Sequence, residues 1–73
     1  MKHRYQILLE TEKDLMEFVS ITSKLPGRIV IVDGEQMCVN ARSILGLMYA
    51  MTFSELWCES EEDIYYAISK FIV

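Results

Sequence analysis

"RIVIVDGEQMCVNARS", residues 28–43, is the stretch on which the fold turns. Arg28 to Val32 is dense in β-branched side chains, which suit the pleated, half-buried surface of a sheet. Asp33-Gly34 follows, the strongest short hairpin signal in the chain, because such a pair adopts the positive φ that a tight return needs. Residues 35–40 then run back with Met37 and Val39 on one face, so two paired strands are expected over 28–32 and 35–40. Ser43 marks a change of period. Its hydroxyl suits the cap of a short second helix running to about Ala50, with Ile44, Leu47, Met48 and Met51 on one flank. Gly46 weakens that helix by roughly 1 kcal/mol relative to alanine.

Toward the N-terminus, Tyr5, Ile7 and Leu9 alternate with Gln6 and Leu8, which predicts a first strand over residues 4–9. Thr11-Glu12-Lys13-Asp14 is a near relative of the capping box. Leu15, Phe18, Val19, Thr22 and Leu25 then recur at helical spacing until Leu25-Pro26-Gly27 stops the helix. Toward the C-terminus, residues 53–58 read as a fourth strand, with Leu56 and Cys58 on one face and Glu55 and Trp57 on the other. Ser60-Glu61-Glu62-Asp63 is expected to cap a last helix striped by Ile64, Ala67, Ile68, Phe71 and Ile72. Its acidic start and Lys70 near its end complement the helix dipole.

The order β-α-β-β-α-β-α places the chain in the α+β class, as one four-stranded antiparallel sheet with three helices packed on one face. The pattern does not fix the order of the strands, and ferredoxin-like sandwiches share the first six elements. A sheet covered on one side leaves the other wet, which fits Gln6, Gln36 and Glu55.

Composition narrows the function. Seventy-three residues, 52% apolar and 25% charged, make one globular domain spanning residues 1–73, and a chain of this size buries only about 60% of its unfolded surface. The formal net charge is −4 and the seven Lys and Arg residues are scattered, which argues against a nucleic-acid partner. The longest apolar run, residues 44–51, is far shorter than a membrane span. The first residues lack the apolar core of a signal peptide, so a cytoplasmic location is expected. Cys38 and Cys58 form no C-x-x-C pair and no ligand set is spaced for zinc, so both read as reduced thiols, with neither metal nor cofactor expected. Tyr65, Tyr66 and Trp57 read as amphipathic packing. His3, the single imidazole, reads as a solvated residue before the first strand.

The segment Val39-Asn40-Ala41-Arg42-Ser43-Ile44-Leu45-Gly46-Leu47-Met48 resembles the serine-centred motif of the HPr family, the histidine-containing phosphocarriers of the bacterial sugar phosphotransferase system. Glu10-Thr11, Ser23-Lys24 and the acidic turn 59–63 are supporting landmarks, and with the element order the resemblance covers nearly the whole chain. It implies an HPr-like open-faced sandwich with strands in the order 1-4-2-3, in which the strands bearing Cys38 and Cys58 are not neighbours. The family's Gly-x-His-Ala-Arg-Pro motif, whose histidine carries the phosphoryl group, is absent. Thr11-Glu12-Lys13-Asp14-Leu15 stands there instead, and its acidic residues would repel a phosphoryl donor.

The expectation is therefore a protein that is not an enzyme: an HPr-like regulatory or adaptor module of the phosphotransferase and carbon-catabolite system. By the resemblance, Ser43 is the regulatory phosphorylation site, and Arg42, Ile44, Leu45 and Met48 form the partner-binding surface. The implied partners are proteins: a serine kinase, phosphotransferase-system proteins or a transcription regulator. Arg42 would pair with a phosphate on Ser43. The alternatives are an interaction module of the same fold without phosphorylation, and an active phosphocarrier with an unconventional acceptor.

Overall fold

The computed structural model describes residues 3–34 and 37–73. The elements are β1 (His3–Ile7), α1 (Glu12–Thr22), β2 (Ile29–Val32), β3 (Cys38–Asn40), α2 (Ile44–Ala50), β4 (Leu56–Ser60) and α3 (Tyr65–Ile68), followed by a 3-10 turn over Ser69–Phe71. The strands form one open antiparallel sheet in the order β1-β4-β2-β3.

Register explains the layering. Tyr5 lies opposite Cys58, Cys58 opposite Ile31, and Ile31 opposite Val39. Because side chains alternate along a strand, this row and its neighbours at Ile7, Ile29 and Leu56 all face one side. There they meet Leu15 and Phe18 of α1, Leu47 and Ala50 of α2, and Ile64, Ile68 and Phe71 from the C-terminal segment. Phe18 and Phe71 meet edge-on, 5.4 Å between centroids, an arrangement favoured by the ring quadrupoles.

The other face is open. Arg4 lies opposite Glu59 and bonds it at 3.3 Å, and its guanidinium also stands 4.4 Å from the centre of the Trp57 ring. Trp57 Nε1 is buried and has no hydrogen-bond partner among the described residues. Of the residues expected on this wet face, Gln6 is half-buried and Glu55 exposed. Gln36 lies outside the described residues, as does Glu35.

Several boundaries differ from those read off the sequence. The first strand spans His3–Ile7 rather than residues 4–9. α1 stops at Thr22 rather than Leu25, because Lys24 and Leu25 donate to the carbonyls only three residues back, at Ile21 and Thr22, in a tightened exit turn. The third strand begins at Cys38, leaving Met37 exposed before it, and Asp33 accepts the Met37 amide across a loop in which Gly34 has a φ of 93°.

The fourth strand is displaced furthest. Residues 53–55 are not part of it, because Thr52 and Phe53 donate to the carbonyls of Tyr49 and Ala50 and prolong the exit from α2. The strand instead reaches Ser60, which is fully buried and donates to the Glu62 carbonyl at 2.6 Å. Ser60 therefore ends a strand instead of capping a helix. α3 is short and has no side-chain cap on Ile64. Asp63 accepts the Tyr65 amide at 3.1 Å, and the chain leaves the 3-10 turn extended to pair Ile72 with Ile7 along the edge of β1.

Both cysteines are free. β2 lies between their strands, and their registers place them on opposite faces. Cys38 is exposed, whereas burial pushes the Cys58 thiol up to about 12. Because the thiolate is the nucleophile, iodoacetamide at pH 8 should label the native protein once, at Cys38. Both thiols should react in denaturant, as read by intact mass.

Candidate functional site

The first turn of α1 settles what that loop does. Thr11, extended at the N-cap, accepts the Asp14 amide at 3.1 Å, while Asp14 Oδ2 accepts the Glu10 amide at 3.1 Å. The first bond satisfies one orphan donor of the helix start, and the second ties the residue before the cap to the first turn, a near relative of the capping box. The segment Thr11-Glu12-Lys13-Asp14 is thus a self-contained cap. His3 is half-buried beside Tyr5, with parallel rings 6.5 Å apart.

Ser43 occupies the N-cap of α2 with extended backbone, and its Oγ accepts the Gly46 amide at 3.0 Å. It is half-buried. Gly46 has a packing reason: a Cβ there would lie 3.3 Å from Asn40 O and from both Cβ and Oγ of Ser43. The residue that weakens the helix by propensity also lets its first turn close on the end of β3.

α2 contains no charged residue. Leu47 and Ala50 are fully buried, and the rest of its circumference faces outward: Ile44 is 41% exposed, Leu45 78% and Met48 55%. Tyr49, half exposed and edge-on to Phe53 at 5.6 Å, extends the same arc. Tyr49 is not among the residues that the sequence marks as partner-binding, although it lies in the apolar run 44–51. Its place at i+4 from Leu45 was the signal available.

Arg42 behaves differently from the other three residues of the expected surface. Its Nε donates to the Thr22 carbonyl at 2.9 Å, and Nη2 donates to those of Leu25 at 2.5 Å and Gly27 at 2.8 Å. Those oxygens lie at and just beyond the C-terminal end of α1, where the helix dipole attracts a cation, and the Thr22 carbonyl also accepts the Leu25 amide. The guanidinium is thus turned toward the exit of α1 and engaged by it through Nε and Nη2. Thr22, fully buried, reinforces the same junction, its hydroxyl lying 3.2 Å from the Ala41 carbonyl.

A second polar cluster sits at the start of α3. Tyr5 donates to Asp63 at 2.9 Å and accepts the Ile64 amide at 3.3 Å. The Tyr65 amide and the Tyr5 hydroxyl hold the Asp63 carboxyl below its ordinary value, and His3 adds a smaller attraction. Burial, then the bond to Asp63, pushes the Tyr5 phenol up.

Among the described residues, no group of three or more His, Cys, Asp or Glu side chains is placed to hold a metal ion, and no helix is long and apolar enough to cross a membrane. No family model, curated protein or solved structure matches the chain.

Two expectations follow. Arg42→Met keeps most of the aliphatic stem but removes three charge-assisted hydrogen bonds, so urea unfolding should show a loss of about 2–4 kcal/mol, given ~1.5–3 for a hydrogen bond to a charged group. The depressed Asp63 carboxyl contributes stability that is complete above its ordinary value of 3.8 and is lost as pH falls through its lower folded value. In Asp63→Asn that contribution should vanish from the acid limb, so urea midpoints between pH 5 and pH 2 fall less steeply than in wild type.

Proposed function

We propose that this chain is an HPr-like regulatory or adaptor module, cytoplasmic and not an enzyme, which docks protein partners through the outward arc of α2 and is controlled by phosphorylation at Ser43. The observation that carries the reading is the uncharged helix α2. It offers Ile44, Leu45 and Met48 to solvent directly behind a serine cap, an arrangement that costs solubility unless something covers it. The flexible thioether of Met48 suits adaptation to more than one partner. The strand order β1-β4-β2-β3 is also the order expected of an HPr-like sandwich.

The partners on this reading are a serine kinase and a transcription regulator or other proteins of the phosphotransferase and carbon-catabolite system. Arg42 supports the surface from below by fixing where α2 begins, with its Nε and Nη2 already bonded to α1. Loss of the family's histidine is matched by an intact helix cap in its place, which accounts for a fold kept without phosphoryl transfer.

A second reading is the same docking module without phosphorylation. It is favoured by the bond from the Gly46 amide to Ser43 Oγ, which gives the serine a complete structural purpose.

One experiment separates them. Incubated with an HPr serine kinase and ATP, the wild-type protein should gain one phosphate by intact mass and Ser43→Ala none; no gain in wild type selects the second reading. With phosphoenolpyruvate and the general phosphotransferase enzyme it should stay unmodified, and an acid-labile phosphate would instead mark an active carrier. Leu45→Glu and Met48→Glu, both at exposed positions, should keep the fold and weaken binding to the purified catabolite regulator at least tenfold.

A further inference from the structure

The end of the β2–β3 ladder carries a feature that the docking surface does not use. A crevice of about 250 Å3 is lined there by Arg28, Ile29, Val30, Cys38, Val39, Asn40 and Arg42. Val30 lies opposite Asn40, and Ala41 donates to the Ile29 carbonyl. Beyond Ala41 the chain turns, the Ser43 amide donating to the Asn40 carbonyl, and both Arg28 and Arg42 line the crevice at this end of the ladder.

Their hydrogen-bonding states differ. Arg42 has Nε and Nη2 engaged by α1, which leaves the two hydrogens of Nη1 from its five donors. The Arg28 side chain is exposed and has neither an ion pair nor a hydrogen bond among the described residues, although the chain holds eleven Asp and Glu residues. The acid beside it, Glu61, accepts the Arg28 backbone amide at 2.6 Å. Asn40 Oδ1 accepts the Arg42 amide at 2.8 Å, leaving the two donors of its own amide nitrogen.

Two cationic residues on one crevice make it attractive to an anion. Arg28 supplies a planar fork matched to a carboxylate or phosphate, with spare donors on Asn40 and Arg42 close by. The crevice is smaller than the roughly 300–1,000 Å3 of a typical ligand pocket, which suits a small anion and excludes a nucleotide.

We propose that this crevice is a binding site for a small oxyanion-bearing metabolite, its phosphate or carboxylate group held by the Arg28 guanidinium. The site is independent of phosphorylation at Ser43 and of the α2 surface.

The test is an amide NMR titration of the full chain at low ionic strength with inorganic phosphate in one arm and malonate in the other, against potassium chloride at matched ionic strength. Saturable shifts at Arg28, Val30 and Asn40 in either arm, absent with chloride, are expected, and the arm that saturates names the preferred group. Arg28→Gln, a change at an exposed position, should weaken that binding at least tenfold while leaving amide dispersion intact. In wild type, the saturating anion should also slow iodoacetamide alkylation of Cys38, and it should not do so in Arg28→Gln. Linear shifts in both arms equal to those of chloride, or an unchanged affinity in Arg28→Gln, would overturn the proposal.

Discussion

The bend between β3 and α2 is held by one guanidinium. Arg42 collects the carbonyls of Thr22, Leu25 and Gly27 where α1 unwinds, adding a charged donor to the Leu25 amide that the Thr22 carbonyl already accepts. Because Thr22 is buried and its hydroxyl also approaches the Ala41 carbonyl, the two residues lock the exit of the first helix to the entry of the second. Everything proposed for α2 depends on this junction. Gly46 and Ser43 then set its first turn against Asn40, and Leu47 and Ala50 anchor its inner side in the core. The remaining arc has nowhere to go but outward.

Much of this was legible in the sequence where local chemistry decides the structure. The Thr11–Asp14 cap and the Ser43 cap depend on atoms within a few residues of one another, and each forms in the structure; Gly34 takes the positive φ expected of it, but the ladder closes only at Val32 and Cys38. Exposure along α2 was legible too, from the simple geometry of an apolar helix laid on one side of a sheet. What was not legible depends on distant partners. Leu56 and Cys58 keep the same alternation whether the strand starts at residue 53 or ends at Ser60, and only the helical exit bonds of Thr52 and Phe53 decide between these. Ile72 fits the helical stripe of Ile68 equally well, yet the unpaired edge of β1 draws it into the sheet.

Arg42 shows the same limit within the candidate site. Beside Ser43 in sequence it reads as a cation for a phosphate, and the fold also gives its Nε and Nη2 carbonyl partners fifteen to twenty residues away. Nothing in the local pattern distinguishes a basic residue reaching outward from one reaching back to a helix end. Arg28, unremarked in the sequence because it opens an ordinary strand, gains interest only when the fold brings it and Arg42 to one crevice.

The strand order has a further consequence for how the chain assembles. β2 and β3 are joined by a short hairpin, a contact that closes at little entropic cost, while β4 must pair with β1 across most of the chain and with β2 across α2. α2 therefore lies inside the loop that the last pairing closes. Until β4 docks, its apolar outer arc and its apolar inner side are equally solvated, and the nascent chain exposes a far larger sticky surface than the finished protein. A host that makes this protein in quantity would thus meet its aggregation hazard during folding rather than in the native state.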